Sequence, residues 1–179
     1  MLYVSDIQTT APRAFQTPLQ RKTYEALASM GIPYERVETE EVITMEDCKA
    51  INAKLRMKMV KTLFLCNRQQ RDFYLFISPG DKPFRSKDFS AALSVPRVSF
   101  APANLMEQKL GTRIGAATVF SALLDSASDT RIVFDKAVLD EPWYGCSDGT
   151  TTGYLKIETK RILRTLLPRA GREAEIIEV

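Results

Sequence analysis

Lys61 interrupts a run that is otherwise apolar or uncharged, Val60 to Leu65. A lysine there can bind an anionic or ribose oxygen, or stabilise an oxyanion as water attacks a carbonyl. It also reads as a cation on the solvated face of a half-buried strand. Gly115, Ala116, Ala117 and Thr118 form a small-residue approach to a short helix. Main-chain amides at such a place can hold a carboxylate, a phosphate or a developing oxyanion. Cys146, Ser147, Asp148 and Gly149 bring a thiol, a hydroxyl and a carboxylate together. Ser147 and Asp148 can line a pocket, although Ser-Asp-Gly is also strong turn chemistry. Lys54, Arg56 and Lys58 lead up to Lys61 and can contact phosphates, as can any solvated basic face.

Histidine is absent from all 179 residues. That removes Ser-His-Asp and Cys-His nucleophiles, H-E-x-x-H zinc sites and histidine bases. Any catalysis rests on lysine, carboxylates, tyrosine, cysteine, main-chain amides or groups of the substrate. The three cysteines are widely spaced and form no C-x-x-C pair. Cys146 has no histidine to activate it, so a cysteine-dependent hydrolase is a poor reading. Neither G-x-G-x-x-G nor G-x-x-x-x-G-K-[ST] occurs. The net charge of +3 permits a polyanionic partner without requiring one.

The elements that must position these residues follow from periodicity and breakers. Hydrophobic residues make up 45% and charged residues 26%, which suits one packed domain. Residues 1–17 lack periodicity and read as an N-terminal extension. Pro18 opens a helix whose face is Leu19, Tyr24, Leu27 and Met30, and Gly31 stops it. Tyr34 to Glu38 alternates as a strand. Thr44 caps a second helix, with Asp47 three residues on. Val60–Leu65 and Phe73–Ser78 form a hairpin with a long loop. Short helices are expected from Ser86, from Ala101 and over Thr118–Leu124. Strands are expected over Thr130–Asp135, Tyr144–Ser147, Thr150–Ile157 and at the C-terminus. Glu158–Leu167 reads as the last long helix, with Ile162, Leu163 and Leu166 inward. The class is mixed α/β: a single domain with a curved mixed central sheet flanked by helices.

The order of these pieces carries a resemblance. Gly31 to Tyr34 is followed by the second helix, then by Lys61-Thr62-Leu63-Phe64-Leu65. Next come Tyr74 to Ile77, Leu110 to Leu124, Arg131 to Asp135, the threonines at 150–152, a final helix and Glu175-Ile176-Ile177. The chain resembles the YbaK/prolyl-tRNA-synthetase-associated family over residues 18–179. The resemblance implies an editing domain that hydrolyses the ester of a misacylated tRNA in trans, a small amino acid such as alanine on proline tRNA being the expected substrate. It implies that Lys61 is the central functional residue and that the loop at Gly115 lines the amino-acid pocket. It implies no metal and no organic cofactor. The expected partners are the acceptor end of aminoacyl-tRNA and prolyl-tRNA synthetase, with no membrane, in the cytoplasm. Two departures stand out. Val119 replaces an expected proline, and Tyr144–Gly149 lacks the histidine-proline that many members carry. They motivate an alternative, a non-catalytic module that binds tRNA, a synthetase or an amino acid.

Overall fold

The computed structural model describes residues 1–42 and 44–179. Helix α1 spans Pro18–Ser29, with the Thr17 hydroxyl capping Gln20 N at 3.1 Å and proline in the first turn. Gly31 takes φ +63° after it, a conformation that costs a residue without a Cβ little. Leu19, Tyr24 and Leu27 are buried as the helical period requires, with Met30 packed beside them.

Among the described residues, eight strands build two sheets. The larger is mixed and has the order β4-β2-β3-β5-β8. Its strands are β2 Val60–Asn67, β3 Phe73–Pro79, β4 Val98–Phe100, β5 Thr130–Asp135 and β8 Ala174–Ile177. β2 pairs antiparallel with β3 and β4, whereas β3–β5 and β5–β8 are parallel. The smaller is antiparallel with order β1-β7-β6, from β1 Glu35–Glu38, β6 Trp143–Ser147 and β7 Gly153–Glu158. The expected mixed central sheet is therefore present, joined by a second sheet. The two meet where Met59 bridges Gly145 in parallel.

The main core lies between the sheets. Phe64, Leu75 and Phe134 of the larger sheet pack there with Tyr144, Cys146, Leu155 and Ile157 of the smaller one and with α1. Helix α3, Ser86–Leu93, covers the opposite face of the larger sheet through Phe89, which meets Tyr74 and Phe76. Helix α2, Cys48–Leu55, covers the outer face of the smaller sheet through Ile51 and Leu55.

Several elements differ from the sequence reading. Thr44 and Asp47 do form a reciprocal box, but the residues between them are a turn and α2 begins at Cys48. Thr150–Thr152 is a turn stabilised by side-chain bonds to Asp148, so β7 starts only at Gly153. Helix α4, Ala103–Leu105, continues as a π-helical turn over Met106–Leu110. The segment Val119–Leu123 is 3₁₀. Lys136–Leu139 forms the short α5. The last helix runs through α6, Thr159–Arg161, a π turn at Ile162–Leu166 and α7, Leu167–Arg169. Pro168 sits at the start of α7, where its missing N–H falls beside the widened turn. The N-terminal segment is also ordered along β1: Ser5 N donates to Glu38 O, and Gln8 and Arg36 exchange both main-chain bonds. Arg36, itself buried, donates to Thr10 O and Gln8 Oε1 and so fastens that segment.

Candidate functional site

Strand β4 is short. It pairs with β2 only over Leu65–Asn67, and the Met59–Gly145 bridge closes the other end of that edge. Between them a cavity of about 370 Å³ opens against Val60–Phe64. Its size falls in the usual range for small-ligand sites. Gly115 and Ala117 line it from one loop, Cys146 and Ser147 from β6, and Val42, Met45 and Tyr154 from the side of α2. Phe100 and Ile114, 63% and 64% exposed, lie in its wall and mark the mouth. Arg113 pairs with Glu41 at 2.6 Å, tying the two loops beside that mouth.

Lys61 stands in this wall, half-buried on β2. Its ammonium donates to the Lys82 carbonyl in the turn after β3. Burial lowers its pKa, and Asp81 nearby opposes that shift. The cation thus rests on a neutral acceptor in the turn after β3, and Lys82 is not among the residues that line the cavity.

The Gly115 loop is held by two buried threonines. Thr112 Oγ1 donates to Gly149 O at 3.0 Å, and Thr118 Oγ1 donates to Ser147 O at 2.7 Å. Gly115 itself has φ +91°, which favours glycine. Ala116 and Thr118 are buried behind the lining, and Ala116 N bonds Arg113 O. They support the wall instead of touching its contents. The helix they precede is only a five-residue 3₁₀ segment, with Thr118 at its N-cap.

Ser147 lines the cavity, but its hydroxyl donates to Thr150 O at 2.6 Å and accepts from Gly149 N at 3.0 Å. Asp148 departs from the expectation outright. Along a strand successive side chains point to opposite faces, and Asp148 turns away from this cavity. Its fully buried carboxylate accepts from Gln20 Nε2, Tyr24 OH, Thr150 N and Thr150 Oγ1. It is a structural anchor. Burial raises the Cys146 thiol pKa far above its ordinary value, which leaves it a poor nucleophile.

Lys54, Arg56 and Lys58 gather at the end of α2, outside the lining of this cavity. Lys54 pairs with Asp6 at 3.6 Å and Lys58 with Glu141 at 2.8 Å, while exposed Arg56 takes the left-handed cap position. A second hollow, lined by Lys49, Lys58 and Trp143, shares Met45, Met59 and Val60 with the first. Sequence reasoning did not find Met45, Met59, Phe100, Met106, Ile114 or Tyr154 as lining residues. Exposed Phe100 and Ile114 at element ends are the kind of signal that could have drawn attention to the mouth. Val119, the residue in place of proline, is fully buried and away from the lining.

The aminoacyl-tRNA editing domain model matches residues 39–165, a stretch that includes Lys61, the Gly115 loop and β6–β7. The chain belongs to the aminoacyl-tRNA editing domain family. Prolyl-tRNA editing protein ProX of Acetoanaerobium sticklandii is 28% identical over 110 residues, covering 62% of this chain and 67% of that protein. Prolyl-tRNA synthetase associated domain-containing protein 1 of Danio rerio is 27% identical over 118 residues, covering 66% of this chain and 64% of that protein. Among solved structures, that of a candidate trans-editing enzyme for prolyl-tRNA synthetase superimposes with TM-score 0.64 at 16% identity, covering 92% of this chain and 99% of the other. A hypothetical protein gives TM-score 0.68 at 19% identity over 87% of this chain and 98% of its own. These two likenesses extend the editing-domain fold to nearly the whole chain. No described helix is long and apolar enough to cross a membrane.

Proposed function

We propose that this editing domain is an aminoacyl-tRNA deacylase acting in trans, with a small amino acid such as alanine on proline tRNA as its substrate. The observation that carries the reading is the cavity beside Val60–Phe64, which joins apolar walls to one lysine and the Gly115 loop. The aminoacyl group enters the cavity, and water attacks its ester carbonyl. Lys61 leaves the Lys82 carbonyl to bind the ribose or phosphate end and to stabilise charge at the reacting ester. In a chain without histidine, the vicinal ribose hydroxyl of the substrate carries the proton. The walls at Met45, Met106 and Tyr154 set an upper limit on side-chain size, since exclusion by shape discriminates better than one methylene of binding energy, ~1–3 kcal/mol. The nucleobase on the same ribose lies at the mouth, over Phe100 and Ile114. Lys54, Arg56 and Lys58 then face the acceptor-stem phosphates, and prolyl-tRNA synthetase generates the misacylated substrate.

The deciding experiment is single-turnover hydrolysis of alanyl-, cysteinyl-, seryl- and prolyl-tRNA for proline, by wild type and Lys61→Ala in parallel. Rapid loss of one misacylated species, abolished by the substitution, is the expected result. No loss of any species by folded protein removes the deacylase reading. The bond from Lys61 to Lys82 O favours one alternative, a module that binds tRNA or an amino acid without turnover. In that case binding persists in Lys61→Ala, and its salt dependence separates tRNA from a free amino acid.

A further inference from the structure

The register of β2 fixes which of its main-chain groups face the cavity. In an antiparallel strand the N–H and C=O of one residue point to the same side, and successive residues alternate. Asn67 N donates to Asp72 O at 3.1 Å, so odd-numbered residues turn toward β3. Ala101 N donates to Phe64 O at 2.9 Å, so even-numbered residues turn toward β4. The same register would place residue 103 opposite Thr62. Ala103 is not there, because Pro102 leads the chain into α4. The edge at Thr62 therefore faces the cavity with no strand beside it among the described residues, and Val60 to Phe64 form that wall.

An α-aminoacyl ester in extended conformation presents its ammonium and its carbonyl oxygen on one side, as a residue in a strand does. We propose that the aminoacyl group docks on Thr62 as a one-residue continuation of β4, and that the Thr62 main chain is catalytic. Thr62 C=O accepts from the α-ammonium, and Thr62 N–H donates to the ester carbonyl oxygen. This deepens the deacylase reading and rests on it. When water attacks, its oxygen bonds to the carbonyl carbon and the carbonyl electron pair moves onto the oxygen held by Thr62 N–H. The bond to the ribose oxygen then breaks as the carbonyl re-forms. The proton lost by water ends on the ribose oxygen, giving free amino acid and the tRNA hydroxyl. A fixed main-chain donor aimed at that oxygen needs neither histidine nor metal. It also gives recognition of the amino-acid main chain independent of its side chain, leaving side-chain selection to the apolar walls.

The test replaces Thr62 by its α-hydroxy-acid analogue, which exchanges the N–H for an ester oxygen and keeps the side chain. Single-turnover hydrolysis of the misacylated tRNA is expected to fall about 100- to 1000-fold, as for loss of one oxyanion donor. The unfolding midpoint should stay close to that of wild type, because this N–H carries no ladder bond. Thr62→Pro gives a second reading of the same geometry, since proline is tolerated on an open strand edge where the N–H is unpaired. It is expected to fold and to be inactive. Wild-type rates in the ester-backbone protein overturn the proposal while leaving the deacylase reading intact. Loss of activity together with a large fall in the unfolding midpoint of both variants places the N–H in the ladder and also overturns it. A wild-type protein inactive on all four aminoacyl-tRNAs removes the deacylase reading, and this proposal with it.

Discussion

The Tyr24 hydroxyl donates to Asp148 Oδ2 at 2.8 Å, joining α1 to the turn between β6 and β7. Gln20 Nε2 reaches the same oxygen at 2.9 Å, and Thr150 occupies the other. Gly153 leaves room for this carboxylate: a Cβ there would stand 2.1 Å from Asp148 Oδ2. Asp148→Ala leaves a buried phenol and amide without their acceptor. We expect a loss of about 3 kcal/mol in denaturant unfolding, from hydrogen bonds to a charged group left unmade. A loss under 1 kcal/mol would contradict the anchoring role.

Lys61→Ala is expected to lower single-turnover deacylation by about 100-fold or more, in the range for removing a charge-stabilising group. Because burial lowers the lysine pKa, the cation is lost at a lower pH than for an ordinary lysine. Enzymatic hydrolysis, corrected for the spontaneous reaction, should therefore decline on the alkaline side before pH reaches about 10.4. A rate that keeps rising through that range would exclude a required Lys61 cation.

Gly80 packs against the strand at the sheet junction. A Cβ there would sit 2.4 Å from Met59 O and 2.5 Å from Met45 Cε. The methionine can swing away, but the carbonyl belongs to backbone near the Gly145 bridge. Gly80→Ala should destabilise by about 1–3 kcal/mol, read as a lowered melting temperature. It should also disturb the cavity, since Met45 and Met59 line it.

Phe100→Ala tests the placement of the nucleobase at the mouth. Stacking of one base on an aromatic ring contributes about 1–3 kcal/mol, so KM should rise roughly 5- to 150-fold. The ring is mostly exposed, so folding stability should change little. An unchanged KM would move the terminal base elsewhere on the rim.

Alkaline stability follows from groups buried in neutral form. Burial raises the pKa of Cys48 to about 11 and pushes Cys146, Tyr24 and Tyr154 up as well. In the unfolded chain these groups ionise near their ordinary values, about 8.5 for thiols and about 10 for tyrosine. Their folded pKa values are higher, so the neutral forms stabilise the fold fully below the unfolded values. That contribution is lost as pH rises toward the folded ones. The melting temperature should fall steadily from about pH 9 upward. A flat profile between pH 8 and 11 would contradict the burial of these groups.

The sequence made the large elements legible because their signals are local. The α1 face, the Gly31 stop and the alternation in β2 and β3 each lie within a dozen residues. Lys61 stood out for the same reason, as a charge within a strand. The neighbours of each residue across the fold were not legible. Ser-Asp-Gly told that residues 147–149 form a turn but not that Asp148 faces Tyr24, which lies 124 residues away. Ala116 and Thr118 are small and polar enough to suit a pocket, yet the bond from Thr118 to Ser147 O draws them behind it. Thr150–Thr152 looked like strand because threonine favours strands, and the Asp148 carboxylate overrode that preference. The second sheet depends on long-range pairing of β1 with β7, which no periodicity announces.

An unpaired strand edge is ordinarily a hazard, because another chain can add to it. Here the shortness of β4 leaves such an edge at Thr62, recessed behind Phe100 and the Gly115 loop. On the docking proposed above, the recess would take a single extended residue carried on a nucleotide, and its walls stand in the way of a neighbouring protein's flat strand. The same few residues that β4 fails to cover would thus be guarded against self-association by the walls proposed to select the substrate.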